Sequence, residues 1–218
     1  PGNNALPVRV SRRFTPGNKY AGGHFGVWNL DIPYAHGIFA NHVSNPKGWT
    51  VNAIPADVYK RCSQYREPLT LYFQTGVFEP DEYWQGNFVH MPGAGDEEML
   101  SQGANAHVPS DGNTYTAVTK GGAAMRCVPL ASTSEAGSQG EGFEAVMPDG
   151  TVYTLNQMAT RPEELISKPI DQMGLRAASA RKGIVVSPMA ALNFTLPRVE
   201  VLLYPTKAMD RFGNTVTY

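Results

Sequence analysis

Apolar and polar residues alternate along much of the chain. Leu6, Val8 and Val10 share one face while Pro7, Arg9 and Ser11 share the other, the period-two pattern of a half-buried strand. After the glycines Gly22, Gly23 and Gly26 the pattern returns, with Trp28, Leu30 and Ile32 inward and Asn29 and Asp31 outward, until Pro33 ends it. Leu69, Leu71 and Phe73 alternate with Thr70, Tyr72 and Gln74, and Phe143, Ala145 and Met147 alternate with Glu144 and Val146. Val199, Val201 and Leu203 face away from Arg198, Glu200 and Leu202. Strands with one wet face therefore recur from end to end, which predicts an antiparallel fold.

Helical signals are few. Thr160 and Glu163 have capping-box spacing, Pro162 suits a first turn, Leu165 and Ile166 supply a buried side, and Pro169 stops it. Ile170, Met173 and Ala177 continue at offsets of three and four towards a cap at Gly183, so a minor helical excursion is predicted near 160–182. Segments 41–58 and 92–110 read as long surface loops, the second with a turn of helix over Asp96–Ser101. Three turn units place an Asp and a Gly ahead of a Thr/Tyr-bearing strand: Asp111-Gly112, Asp149-Gly150 and Asp210 with Gly213-Asn214. The carboxylate can accept from nearby amides and the glycine can take positive φ, so each unit specifies chain reversal. The expectation is mainly β: an antiparallel twisted sheet or sandwich-like wrap of hairpins with long loops, in one module over 1–218.

Composition sharpens this. Gly 22 and Pro 17 exceed their usual combined share of roughly 12% in a chain of 218 residues, as a turn-rich fold requires. With 42% hydrophobic and only 17% charged residues the chain should bury a core. A net charge of −1 gives no field to recruit nucleic acid. The apolar run Pro188–Tyr204 is broken by Asn193, Pro197, Arg198 and Glu200, so no membrane span is predicted. Cys62 and Cys127 follow Arg61 and Arg126 and are either a long-range disulfide or two buried thiols; a bond would indicate an oxidising compartment.

Candidate chemistry is thin. His90 with Asp96, Glu97 and Glu98 reads either as a metal or acid–base loop or as a strand end followed by a solvated acidic helix start, and no paired-histidine spacing supports the first. His24, His36, His42 and His107 fall in loop-like surroundings, and Arg9 and Arg13 on a wet strand face. Neither a GxSxG nor a Cys/His pair appears, and the glycines of 21–26 lack a phosphate-binding fingerprint, so no catalytic residue, metal or cofactor is assigned. Trp49, Tyr83 and Trp84 could form an aromatic platform for a sugar or a receptor if exposed together.

Four segments resemble the Rhs/YD-repeat proteins, the β-rich shells of polymorphic toxins and related secreted bacterial proteins. Leu6-Pro7-Val8-Arg9-Val10-Ser11-Arg12-Arg13-Phe14 is similar to the segment opening their repeat region, and Phe25-Gly26-Val27-Trp28 to the Gly-x-Gly-Trp strand, with Val27 in place of the second glycine. Asp149-Gly150-Thr151-Val152-Tyr153 resembles the Asp-Gly-Thr-x-Tyr hairpin, and Asp210-Arg211-Phe212-Gly213-Asn214 with Tyr218 the element that introduces successive repeats. The resemblance implies a non-enzymatic lead-in module of a longer bacterial polypeptide, secreted or on the cell surface, whose partners are the following repeats of the shell that encloses a toxin segment. It implies that the final hairpin leaves an edge for the next strand. The competing expectation is a glycan- or receptor-binding module using Tyr83 and Trp84.

Overall fold

The computed structural model describes residues 11–14, 28–41, 48–73, 76–103, 107–169 and 193–218. The strand expected over 6–10, the glycines of 21–26 and the helix over 170–182 lie outside the described residues. In chain order the elements are β1 (Arg12–Phe14), β2 (Trp28–Leu30), β3 (Tyr34–Ala40), β4 (Leu71–Phe73), β5 (Gly76–Phe78), α1 (Pro80–Tyr83), β6 (Asn87–Met91), β7 (Gly95–Ser101), β8 (Ala117–Thr119), β9 (Ala124–Pro129), β10 (Glu141–Val146), β11 (Val152–Pro169), β12 (Asn193–Met209) and β13 (Thr215–Thr217).

The fold is mainly β and antiparallel, and its principal sheet closes on itself. Strands run β11-β10-β9-β8-β7-β6-β3-β12, and β12 pairs back onto β11, making a barrel rather than an open sheet or sandwich. Closure satisfies the edges that an open sheet would leave exposed. β13 adds to β12 beyond the barrel, while β1–β2 and β4–β5 are separate two-stranded ribbons.

Alternation fills the interior. Each barrel strand contributes inward residues, among them Ala35 and Phe39 of β3, Val89 of β6, Met99 of β7, Phe143 of β10 and Val201 of β12. The register shift between Leu155 and Gln157 in β11 lets Leu155 and Met158 both reach this core despite opposite parity. β3, β7 and β9 end, and β6 and β10 begin, at one mouth of the barrel. There the segment 48–66 turns inward, placing Trp49, Val51 and Cys62 in the core. Trp49 lies between Phe39 and Phe143 at ring separations of 5.1 and 5.3 Å. Arg61, fully buried, donates to the carbonyls of Trp49, Glu141 and Gln139 at 3.3, 2.6 and 2.8 Å. Cys62 is disulfide-bonded to Cys127 of β9. A second core lies outside the wall, where Ala40, Leu71, Phe78, Tyr83 and Leu196 pack together.

Three expectations need correction. Residues 160–169 are strand, not helix: Thr160–Pro169 pairs with Asn193–Val201 of β12. Spacing that suits a capping box also suits a strand whose partner is distant in sequence, and the ladder with β12 decides the outcome. Asp96–Ser101 is likewise strand β7, reached from β6 by a tight turn over Pro92–Ala94. The loop expected over 41–58 is exposed at Ala53–Ala56, but Trp49, Thr50 and Val51 before it are buried in the plug.

Candidate functional site

The aromatic platform does not form. Trp49 is 1% exposed and belongs to the barrel core. Tyr83 is 2% exposed in the outer core, its hydroxyl donating to the Leu69 carbonyl at 2.5 Å. Trp84 is half-buried between the two cores and donates from Nε1 to Asn87 Oδ1 at 3.0 Å. A flat apolar surface for a sugar ring needs these faces in water, and packing has taken them instead. Among the described residues the exposed aromatics lie elsewhere: Phe14 on β1, Tyr72 on β4, and Phe212 and Tyr218 beside β13.

The turn units do their work at two hairpins. Between β10 and β11, Asp149 Oδ1 accepts from Thr151 N at 2.8 Å, and Gly150 sits at φ 85°. Between β12 and β13, Asp210 Oδ1 accepts from the amides of Phe212 and Asn214, both at 2.9 Å, Oδ2 accepts from Asn214 Nδ2 at 2.7 Å, and Gly213 sits at φ 85°. These bonds hold the Asp210 carboxyl below its ordinary range, the Asn214 side chain contributing most. Asp111-Gly112 instead bends the long β7–β8 connection. Asp111 accepts from Asn113 N at 3.0 Å and from the Tyr115 hydroxyl at 2.7 Å, and no strand begins until Ala117.

The second hairpin creates an accessible strand edge. Asp210 N donates to Asn214 O and Tyr218 N to Thr206 O, each at 3.0 Å, with Ala208 opposite Val216. Antiparallel alternation then turns the Val216 amide towards β12 and the backbone groups of Thr215 and Thr217 outward. Among the described residues no strand pairs with that outer edge.

A different arrangement occupies the outer wall, where the odd–even pattern that buries Ala35 and Phe39 turns Tyr34 and His36 outward. His90 of β6, 1% exposed, places Nε2 at 2.8 Å from Asp31 Oδ1 and Nδ1 at 2.7 Å from Asp96 Oδ1 of β7. His36 of β3 places Nδ1 at 2.9 Å from Glu200 Oε1 of β12 and Nε2 at 3.7 Å from the same Asp96 oxygen. Arg161 of β11 pairs with Glu200 through Nε. From the ribbon, Arg13 Nη2 donates to the Tyr34 hydroxyl at 2.8 Å, and Nη1 lies 3.0 Å from His90 Nδ1 and 3.5 Å from Asp96. The result is an unbroken belt in the order Asp31, His90, Asp96, His36, Glu200, Arg161.

The belt's electrostatics follow from this order. The His36 imidazole and the His90 hydrogen bond hold the Asp96 carboxyl far below the ordinary carboxylate range. Burial alone would raise Glu200, but the His36 hydrogen bond and the Arg161 charge outweigh it and leave its pKa lowered. Burial alone would lower His36, and here Asp96 and Glu200 outweigh it, leaving the imidazole's pKa raised. Burial pushes the Tyr34 and Tyr204 phenols upward, so both stay neutral hydroxyls beside the charges.

The His90–Asp96 pair noted in the sequence is thus neither a metal loop nor a solvated helix start; it is the centre of a packed ionic wall. Among the described residues no group of three or more His, Cys, Asp or Glu is arranged to hold a metal ion. His36, Arg13, Arg161 and Glu200 carried no sequence signal beyond strand parity, and Arg13, read as a wet strand face, instead grips Tyr34. His107 is exposed, while His24 and His42 lie outside the described residues. A recess of about 550 Å³ beside the disulfide contains Lys60 and Glu141, both committed: Lys60 pairs with Asp57 at 2.6 Å and Glu141 accepts from the Cys62 and Ser63 amides. Among the described residues no helix is long and apolar enough to cross a membrane. No family model, curated protein or solved structure matches the chain.

Proposed function

We propose that the chain is a non-enzymatic structural module of an Rhs/YD-repeat type protein, which starts a β-shell and passes its hydrogen-bonded ladder to the next strand at β13. The observation that carries this reading is the outer edge of β13. The Asp210–Asn214 turn fixes a short strand beyond the point where the barrel closes, with the backbone groups of Thr215 and Thr217 unpaired by any described strand. An added strand would take its register from these groups.

The far part of β11 makes a useful contrast. Beyond Leu155 its only strand partner among the described residues is β12, yet that stretch carries Pro162 and Pro169, which have no amide hydrogen, together with Glu163, Glu164 and Lys168. Proline and charge are the devices that keep an edge from pairing. The sequence of β13, Thr215-Val216-Thr217, has neither. The Cys62–Cys127 bond supports a secreted or cell-surface setting, where disulfides persist.

The test is to express the chain's reading frame in full and determine its structure by electron cryomicroscopy. A strand hydrogen-bonded to Thr215 and Thr217 is expected, and Thr217→Pro should disrupt it while sparing the β12–β13 bonds, which use the Val216 amide. A β13 edge left in solvent in the full product would overturn the reading.

A further inference from the structure

The outer-wall belt alternates acid and base with unusual regularity. Each of two imidazoles stands between two carboxylates, with all four ring nitrogens directed at carboxylate oxygens and the Asp96 oxygen shared by both rings. A carboxylate only accepts, so a ring can donate to both its neighbours only when it carries two protons; a neutral ring leaves one lone pair facing an anion.

A second satisfied arrangement exists at His90. Arg13 Nη1 lies 3.0 Å from the same Nδ1 that lies 2.7 Å from Asp96. With the ring proton on Nδ1 it donates to Asp96; in the other tautomer, with the proton on Nε2 facing Asp31, Nδ1 accepts from Arg13. In that second tautomer Asp96, whose side chain is 38% exposed, loses its donor from His90 and turns to water. At His36, Nε2 is buried and has no hydrogen-bond partner at its 3.7 Å separation from Asp96, so only ion pairing holds the two together there.

We propose that this belt is a proton-operated clasp on the outer wall, in which charged His36 draws Asp96 of β7 against β3, and its deprotonation loosens Asp96 and frees Arg13 of the β1–β2 ribbon to turn from Asp96 to His90 Nδ1. Among the described residues, the charged neighbours of the two rings all belong to it. The ribbon and its root supply Arg13 and Asp31, β7 supplies Asp96, β12 supplies Glu200 and β11 supplies Arg161 behind it. The remaining neighbours, Tyr34 and Phe88, present neutral rings.

The sign is set by His36. Its folded pKa is raised, so its contribution is complete below the ordinary imidazole value near about 6.5 and is lost as pH rises through the folded value. The carboxylates, held low, remain charged throughout that window. The clasp is therefore closed in mild acid and opens in mild alkali.

Hydrogen exchange on the whole chain tests this, with rates corrected for the intrinsic pH dependence of exchange, alongside nitrogen NMR of its histidines. Amides of Gly95–Glu98 and Arg12–Phe14 should lose roughly tenfold protection between about pH 6 and pH 8.5, while β10 amides should not change. His36 should lose a ring proton over the same range. Asp96→Asn should remove the pH-dependent part of the protection; should that variant fail to fold, His36→Gln, which keeps one donor and one acceptor in nearly the same place, should reduce it. Protection that is flat with pH, or pH dependence that persists unchanged in the folded variant, would overturn the clasp.

Discussion

The two mouths of the barrel are built from opposite materials. At one, the 48–66 plug brings an indole, a buried guanidinium and a disulfide into the core, and Arg61 meets three carbonyls. Burial there pushes the Arg61 guanidinium down to about 10, still far above neutrality, so the charge stays and the carbonyls hold it. At the other mouth the β10–β11 and β12–β13 hairpins turn tightly on aspartate and glycine, and Phe212 and Tyr218 stand in water. One mouth is sealed and the other carries an available strand edge. The barrel is therefore polar along its axis, with its packed end and its hairpin end differing in both burial and chemistry.

Breaking the sealed mouth should have the largest effect. Trp49→Ala removes an indole stacked on Phe39 and tilted against Phe143 in a buried site, and the expected cost is about 3–5 kcal/mol in urea unfolding. The matching change at the open mouth, Phe212→Ala, removes a largely exposed ring and should alter stability by no more than about 0.5 kcal/mol. Equal costs at the two mouths would show that the plug is not part of the cooperative core.

Removing the covalent tie comes next. The bond from Cys62 to Cys127 closes a loop of 65 positions, and replacing both residues by serine should cost about 2–4 kcal/mol, chiefly by freeing the unfolded chain. The local consequence separates the mouths: exchange should quicken at Val51–Tyr65, where the disulfide holds the plug to β9, and stay unchanged at Thr215–Thr217. Uniform quickening at both would mean that the disulfide acts on the barrel as a whole.

How much of this was legible in the sequence depended on where a residue's partners lie. Phe143 and Ala145 announce β10, and Val199, Val201 and Leu203 announce β12, because a strand with one buried face writes its period locally. Asp149-Gly150 and Asp210-Gly213 announce their hairpins for the same reason. Residues 160–169 misled because Thr160, Pro162 and Glu163 satisfy a helix-start pattern, while the ladder that makes the segment strand comes from residues 24 to 41 positions later. Acidic Asp96-Glu97-Glu98 suggested a helix start, yet in β7 Asp96 faces the imidazoles and Glu97 accepts from the Gly121 amide at 3.0 Å. Barrel closure and the belt were illegible for one shared reason: His36 and Glu200 are 164 positions apart, and no local pattern encodes which strand lies beside which.

The smallest effects sharpen the comparison within the hairpin mouth itself. Gly150 and Gly213 have the same φ of 85°, a backbone in which a side chain costs roughly 1–2 kcal/mol. Their surroundings differ. A Cβ added at Gly213 meets nothing within 4 Å, whereas one added at Gly150 comes within 3.0 Å of Arg211 Cβ, on the neighbouring hairpin. Gly213→Ala should therefore show backbone strain alone, a fall of roughly 2–8 °C in melting temperature for a chain of this size. Gly150→Ala should fall further, because the two hairpins must also move apart, and Arg211→Gly in that background should recover the difference, since it deletes the Cβ that is met. Recovery would show that the β10–β11 and β12–β13 turns pack as one surface around the strand edge; identical shifts in both alanine variants, with no recovery, would show that each turn stands alone and that β13 takes no support from its neighbour.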